Sequence, residues 1–179
     1  VTSASTVDET ESPAEHALRM VGHHYRMPDF YEVGREKIRE YARSVQDGHA
    51  VHYDEQAAKD LGYDGLIAPL TFVSIVGVMA QKAMFDTVIK GYDVSQIMQA
   101  DQRLEFHHPI RTGDHLMVDV YLESFRQMGG SDIFITKNII SNASGEAVVS
   151  SWTTLVARTG GASDVSYMDT VKGVMMHEL

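Results

Sequence analysis

The 179 residues hold 25 Asp and Glu against 15 Lys and Arg, a formal charge of −10 with histidine neutral. So acidic a chain lacks the cationic footprint that neutralises phosphates, which argues against nucleic acid and anionic membrane surfaces as partners. There is no cysteine, so disulfides, thiolate metal sites and cysteine nucleophiles are excluded, and a cytoplasmic location is expected.

The length suits one domain with tails. Residues 1–18 carry Asp8, Glu9, Glu11 and Glu15 with no Lys or Arg. They read as a disordered acidic tail, without the basic and apolar runs of a secretory signal. Residues 34–45 (GREKIREYARSV) place Ile38, Tyr41, Ala42 and Val45 at helical spacing with charges opposite, which predicts an amphipathic helix. Residues 54–61 (DEQAAKDL) begin on a capping Asp54 and stop at Gly62, a short helix. Residues 70–89 are apolar on nearly all faces until Gln81 and Lys82. A helix of that kind must be covered by something, yet Pro69 and its length rule out a membrane span.

Four runs rich in β-branched and aromatic residues follow, at 97–106, 115–126, 132–141 and 147–158. Val118, Val120 and Leu122 alternate with Asp119, Tyr121 and Glu123, the period of a half-buried strand. Gly113-Asp114, Gly129-Gly130 and Asn142 to Gly145 separate the runs as turns. Helices followed by consecutive antiparallel strands predict an α+β fold, one long central helix against a curled sheet. The domain is expected to span 19–159, followed by a second tail at 160–179.

The loop between the first two helices reads SVQDGHAVHYDEQAA. Asp47 and His52 on it offer a carboxylate and an imidazole, the proton donor and acceptor that addition or elimination of water requires. The same spacing also arises from a turn-capping Asp and a solvated His. Pro69 suits the first turn of the long helix, where free backbone amides form a ready oxyanion site; equally, it serves simply to start a core helix.

Helix, D-x4-H loop, short helix, Gly-rich turn, buried helix and four strands, in that order, resemble the MaoC-like, R-specific hydratase-2 group of hot-dog-fold proteins. The segments VGHHYRMPDFYEVGREKIREYA, GYDGLIAPLTFV, ADQRLEFHHPIRTGD and SWTTLVAR are similar to actinobacterial MaoC-type dehydratase subunits of the HadA and HadC kind. The resemblance spans about 21–158. It implies reversible syn hydration of a trans-2-enoyl thioester to an (R)-3-hydroxyacyl thioester, on coenzyme A or acyl carrier protein, with no cofactor. It puts Asp47 and His52 on the catalytic dyad and the Leu70 amide on the thioester carbonyl. In dehydration His52 is the expected base toward the Cα proton and Asp47 the acid toward the leaving hydroxyl; the converse assignment stays open, since the two groups are coupled.

The family's loop, Gly-Asp-x-Asn-Pro-x-His, has Gln46, His49 and Ala50 in place of its Gly, Asn and Pro. His49 is given a supporting role beside the dyad. Subunits of the HadA and HadC kind lack the full dyad and act as substrate-binding partners, whereas this chain keeps both residues. The resemblance also implies a dimer, either of two copies or with a related hot-dog subunit.

Duller readings cover the rest. Adjacent histidines at 23–24 and 107–108 point to opposite faces of a strand and no third ligand converges, so no metal is expected. Ser44 and Ser74 lack a nucleophile elbow, and Asp86 lies too far along the helix for thioesterase chemistry. Met79, Met84 and Met98 are candidates to line an acyl channel, with ordinary core packing the simpler account. Trp152 is expected to be buried. Arg35, Lys37, Arg39, Arg103 and Arg111 are candidate contacts for a carrier phosphate, or plain surface.

Overall fold

A computed structural model describes residues 11–158. Helix α1 (Pro13–Arg19) starts on Ser12, whose side chain accepts from the Glu15 N–H while the Glu15 carboxylate accepts from the Ser12 N–H, a reciprocal cap. Strands β1 (His24–Arg26) and β2 (Tyr31–Glu32) are short. Helix α2 (Arg35–Ser44) follows, then a single 3-10 turn (Ala50–His52) and helix α3 (Glu55–Asp60), capped by Asp54 through the Gln56 N–H. A 3-10 turn (Leu70–Phe72) runs directly into α4 (Val73–Thr87). The long strands are β3 (Ile97–Phe106), β4 (His115–Met128), β5 (Ser131–Ser141) and β6 (Ala147–Arg158).

The sheet is antiparallel in the order β1-β4-β5-β6-β3, with β2 also paired to β4. The expected α+β arrangement of one long helix on a curled sheet is present. Two strands more than the four read from sequence take part, because segments of two or three residues are too short to carry an alternation. Gly129 and Gly130 close the β4–β5 hairpin with φ of 60° and 77°, the paired left-handed conformation that matches the twist of the flanking strands.

Val118, Val120 and Leu122 face inward from β4 and meet Phe134 of β5, Val149 and Leu155 of β6, and Phe72 and Val76 at the start of α4. Each is almost wholly buried, and burial of a side chain of this size stabilises the fold by roughly 1.5–3 kcal/mol. Part of α4 is left uncovered among the described residues: Val78 and Met79 stay open.

One boundary needs correction. The acidic N-terminal tail is expected from sequence to run to residue 18, but Ala17 has no exposed surface and His16 Nε2 lies 3.1 Å from the Thr87 carbonyl. The capped α1 helix thus locks onto the far end of α4, and the packed unit begins before Arg19. Residues 1–10 and the expected tail at 160–179 lie outside the described residues.

Candidate active site

Helix α2 delivers Asp47. Beyond its last turn the Asp47 N–H bonds to the Ala42 carbonyl at 2.9 Å and the Gln46 N–H to the Arg43 carbonyl at 3.1 Å. This is a Schellman ending, in which the residue between the helix and Asp47 must be left-handed. That residue is Gln46, at φ 57°, the one non-glycine positive φ among the described residues. The resemblance puts glycine there, and the geometry gives the reason: glycine adopts this conformation at no steric cost.

His52 closes the 3-10 turn and is buried at 6% exposure. Its Nδ1 lies 2.6 Å from the Ile67 carbonyl and its Nε2 3.2 Å from Asp47 Oδ2. A carbonyl only accepts, so Nδ1 carries a hydrogen and Nε2 is the nitrogen that faces the carboxyl group. The Ile67 N–H donates in return to the Val51 carbonyl at 3.1 Å, while Leu66 and Ala68 bond to Thr112 and Ile110. The loop that carries Asp47 and His52 is thereby stitched to the segment that enters α4.

Two clamps unread in the sequence hold the loop. The Tyr53 hydroxyl donates to the Asp47 carbonyl at 2.7 Å, and Arg39 of α2 donates to the Tyr53 carbonyl through Nε and Nη2 at 3.2 and 2.8 Å. Arg39 sits on the helix and Tyr53 directly follows His52, so the only sequence hint was their proximity to the dyad. His49 is exposed, caps the 3-10 turn by accepting from the Val51 N–H at 3.4 Å, and stands 5.9 Å ring-to-ring from His52. Its backbone N–H donates to Asp47 Oδ1 at 3.1 Å. That bond, followed by the neighbouring His52 and His49 rings, holds the Asp47 carboxyl below its ordinary value against the opposing effect of burial.

Leu70 opens the 3-10 turn three residues after Ile67; its side chain is 64% exposed and its N–H has no hydrogen-bond partner among the described residues. The Tyr41 hydroxyl donates to the Thr71 carbonyl at 2.6 Å and lies 2.9 Å from Ser74 Oγ, tying α2 to this end of α4. From here a groove of about 330 Å³ runs between α4 and the sheet.

The remaining candidates fall elsewhere. Met79 and Met98 are exposed and do not line this groove, whereas Met84 borders a small void at its far end. Methionine spacing in the sequence carried no information on which face of its helix or strand each would occupy. All five candidate phosphate cations have carboxylate neighbours: Arg35 with Glu55, Lys37 with Glu40, Arg39 with Glu36, Arg103 with Glu105 and Arg111 with Asp114. Trp152 is half-buried on the outer sheet face, between Arg103 and Lys137 at 5.0 and 5.1 Å, because its position in β6 alternates away from the core. Asp86 pairs with Lys82 at the surface, and among the described residues no three His, Asp or Glu side chains converge as metal ligands.

Residues 19–151 match the family model described as FAS1-like, dehydratase domain region. The chain belongs to this family. This FAS1-like dehydratase-region protein is 47% identical over 150 residues to a UPF0336 protein of Mycolicibacterium paratuberculosis, covering 84% of the chain and 94% of that relative. A UPF0336 protein of Mycobacterium tuberculosis is 49% identical over 141 residues, covering 79% and 89%. Among solved structures, the C-terminally truncated HadBC (3R-hydroxyacyl-ACP dehydratase) complex of M. tuberculosis superposes with a TM-score of 0.70 at 42% identity, over 77% of this chain and 97% of that one. A MaoC-like dehydratase superposes at 0.75 with 41% identity, over 91% of this chain and 50% of that one. The fold of the FAS1-like dehydratase-region protein is therefore the hot-dog fold that the sequence led one to expect, with its sheet left open. No helix among the described residues is long and apolar enough to cross a membrane.

Proposed function

We propose that the chain is an (R)-specific 3-hydroxyacyl-thioester dehydratase and trans-2-enoyl-thioester hydratase of fatty-acid metabolism, with Asp47 and His52 as its catalytic dyad. The observation that carries this reading is the pinned imidazole. With Nδ1 committed to the Ile67 carbonyl, Nε2 and the Asp47 carboxyl share one exchangeable proton across 3.2 Å. Dehydration needs that proton on Asp47. Neutral Nε2 then takes the Cα proton, the carboxyl proton goes to the departing hydroxyl, the C–O bond breaks and the C–C double bond forms. The products are water, imidazolium and carboxylate. Hydration runs the same transfers backwards, Asp47 taking a proton from water and His52 giving one to Cα. The hydrogen bond from the His49 N–H favours the carboxylate form of Asp47, the form that takes a proton from water in hydration.

In this reading the Leu70 N–H, at the positive end of α4, meets the thioester oxygen as charge builds on it. His49 supports the dyad by capping the turn that carries His52. The substrate is an acyl thioester of coenzyme A or acyl carrier protein, which sets the site of action in the cytoplasm, and no cofactor takes part. Neighbours of known structure include the HadBC complex; by analogy, the uncovered face of α4 and the free edge of β3 receive a second hot-dog subunit, a copy or a relative.

Hydration of crotonyl-CoA and longer enoyl-CoAs by the purified chain, followed as loss of enoyl absorbance, tests the assignment. Asp47→Asn and His52→Ala are each expected to lower kcat by about 10²–10⁴, the usual worth of a positioned proton donor or acceptor. Equal rates in variants and wild type sink the dyad. A second reading, a non-catalytic acyl-binding subunit, draws on the same open α4 face. Absence of turnover on every thioester, together with a stable complex with a second hot-dog chain, would favour it.

A further inference from the structure

We propose that the groove beneath α4 is an acyl subsite for a chain bearing a neutral hydroxyl, and that Asn138 reads that hydroxyl. This rests on the thioester reading above, which sets the carbonyl at Leu70. The groove starts at Thr71 and Ser74, next to that amide, and passes Gly77, where an added Cβ would meet nothing within 4 Å. It continues to Gln81, so at about 1.5 Å of rise per residue it follows α4 for roughly 15 Å. A small void of about 10 Å³ at the far end shares Gln81, Asn138 and Thr153 with it and is bounded also by Thr136 and Met84.

The near walls suit a hydrocarbon: Val73, Val78, Val118 and Ile140 line them. The far end does not. Gln81, Asn138 and Thr153 gather there, and the buried Asn138 Oδ1 has no hydrogen-bond partner among the described residues. The Thr136 hydroxyl is directed instead to the Thr153 carbonyl. A methyl-terminated chain reaching this depth leaves Oδ1 unpaired and desolvated. A hydroxyl supplies the donor that Oδ1 lacks. No Asp, Glu, Lys or Arg lines the groove, so a carboxylate or ammonium at the same depth would be buried without a counter-charge. The chemistry that fits is a neutral hydroxylated acyl chain.

Binding of saturated acyl-CoAs, which do not react, separates this proposal from catalysis. Two series of increasing chain length, one methyl-terminated and one ω-hydroxylated, are titrated calorimetrically into the full chain and into Asn138→Leu. At the length that reaches Asn138 the hydroxylated probe is expected to bind wild type about tenfold more tightly, the worth of one net hydrogen bond. Asn138→Leu is expected to abolish or reverse the preference. Should that variant fail to fold, Asn138→Ala carries the same test, since it removes the amide and leaves only space. Equal affinities at every length, an unchanged preference in the variant, or no binding of either series would overturn the proposal. Wild-type hydration of crotonyl-CoA and longer enoyl-CoAs is read separately: absence of turnover on every thioester alongside a retained hydroxyl preference would sink the catalytic reading and leave this one standing.

Discussion

Replacing Gln46 with glycine exchanges a residue held at φ 57° for the one that occupies this region freely. The left-handed conformation costs an L-residue about 1–2 kcal/mol, while glycine forfeits about 0.5–1 kcal/mol through the greater freedom of its unfolded chain. The side chain is exposed and makes no hydrogen bond among the described residues, so no contact offsets the difference. Gln46→Gly is therefore expected to stabilise the protein by about 0.5–1 kcal/mol. For a domain of this size that raises Tm by roughly 2 °C, and with an ordinary urea slope it moves the midpoint by about 0.4 M. Urea unfolding at fixed protein concentration measures it, with the slope checked for constancy. Gln46→Ala is the control, since alanine carries the same left-handed penalty and should show no gain. If the glycine variant proves no more stable than the alanine variant, the Schellman ending does not strain Gln46 and the account of how Asp47 is positioned is wrong.

The Asp47 carboxyl should titrate below its ordinary value of 3.8, as read by NMR of the side-chain carboxyl carbon; a midpoint at or above that value refutes the assigned hydrogen bonding. With a depressed folded pKa, its contribution to stability is complete above 3.8 and is lost as pH falls through the lower folded value. Asp132, 1% exposed, accepts from the Tyr92 hydroxyl and from Gln127 Nε2, each at 2.8 Å. Asp132→Ala strands a buried phenol and is expected to cost about 3 kcal/mol in urea unfolding. Loss of less than about 1 kcal/mol would mean that water replaces the carboxylate.

Helix α2 was legible because Ile38 and Ala42 recur at the period of one face, and both are buried. Strands β3 to β6 were legible from their β-branched and aromatic residues and the turns between them, and the loop that sets Asp47 beside His52 from its D-x4-H spacing. What escaped was non-local or short. β1 and β2 owe their existence to β4, opposite which they lie; α1 owes its order to the end of α4. Arg39 read as a candidate phosphate contact or plain surface because its acceptor, the Tyr53 carbonyl, is fourteen residues away and belongs to the backbone, which sequence does not distinguish.

By itself, then, the sequence determined which residues are candidates for the chemistry, since ionisable type and local period are properties of single residues and near neighbours. Only the tertiary structure decided their states. The tautomer of His52 comes from the Ile67 carbonyl, fifteen residues on. The strain at Gln46 comes from the way α2 ends, and the polarity at the end of the groove from β5 and β6 meeting α4. Hydrogen-bond direction, desolvation and enclosure depend on atoms that the chain brings together only when it folds.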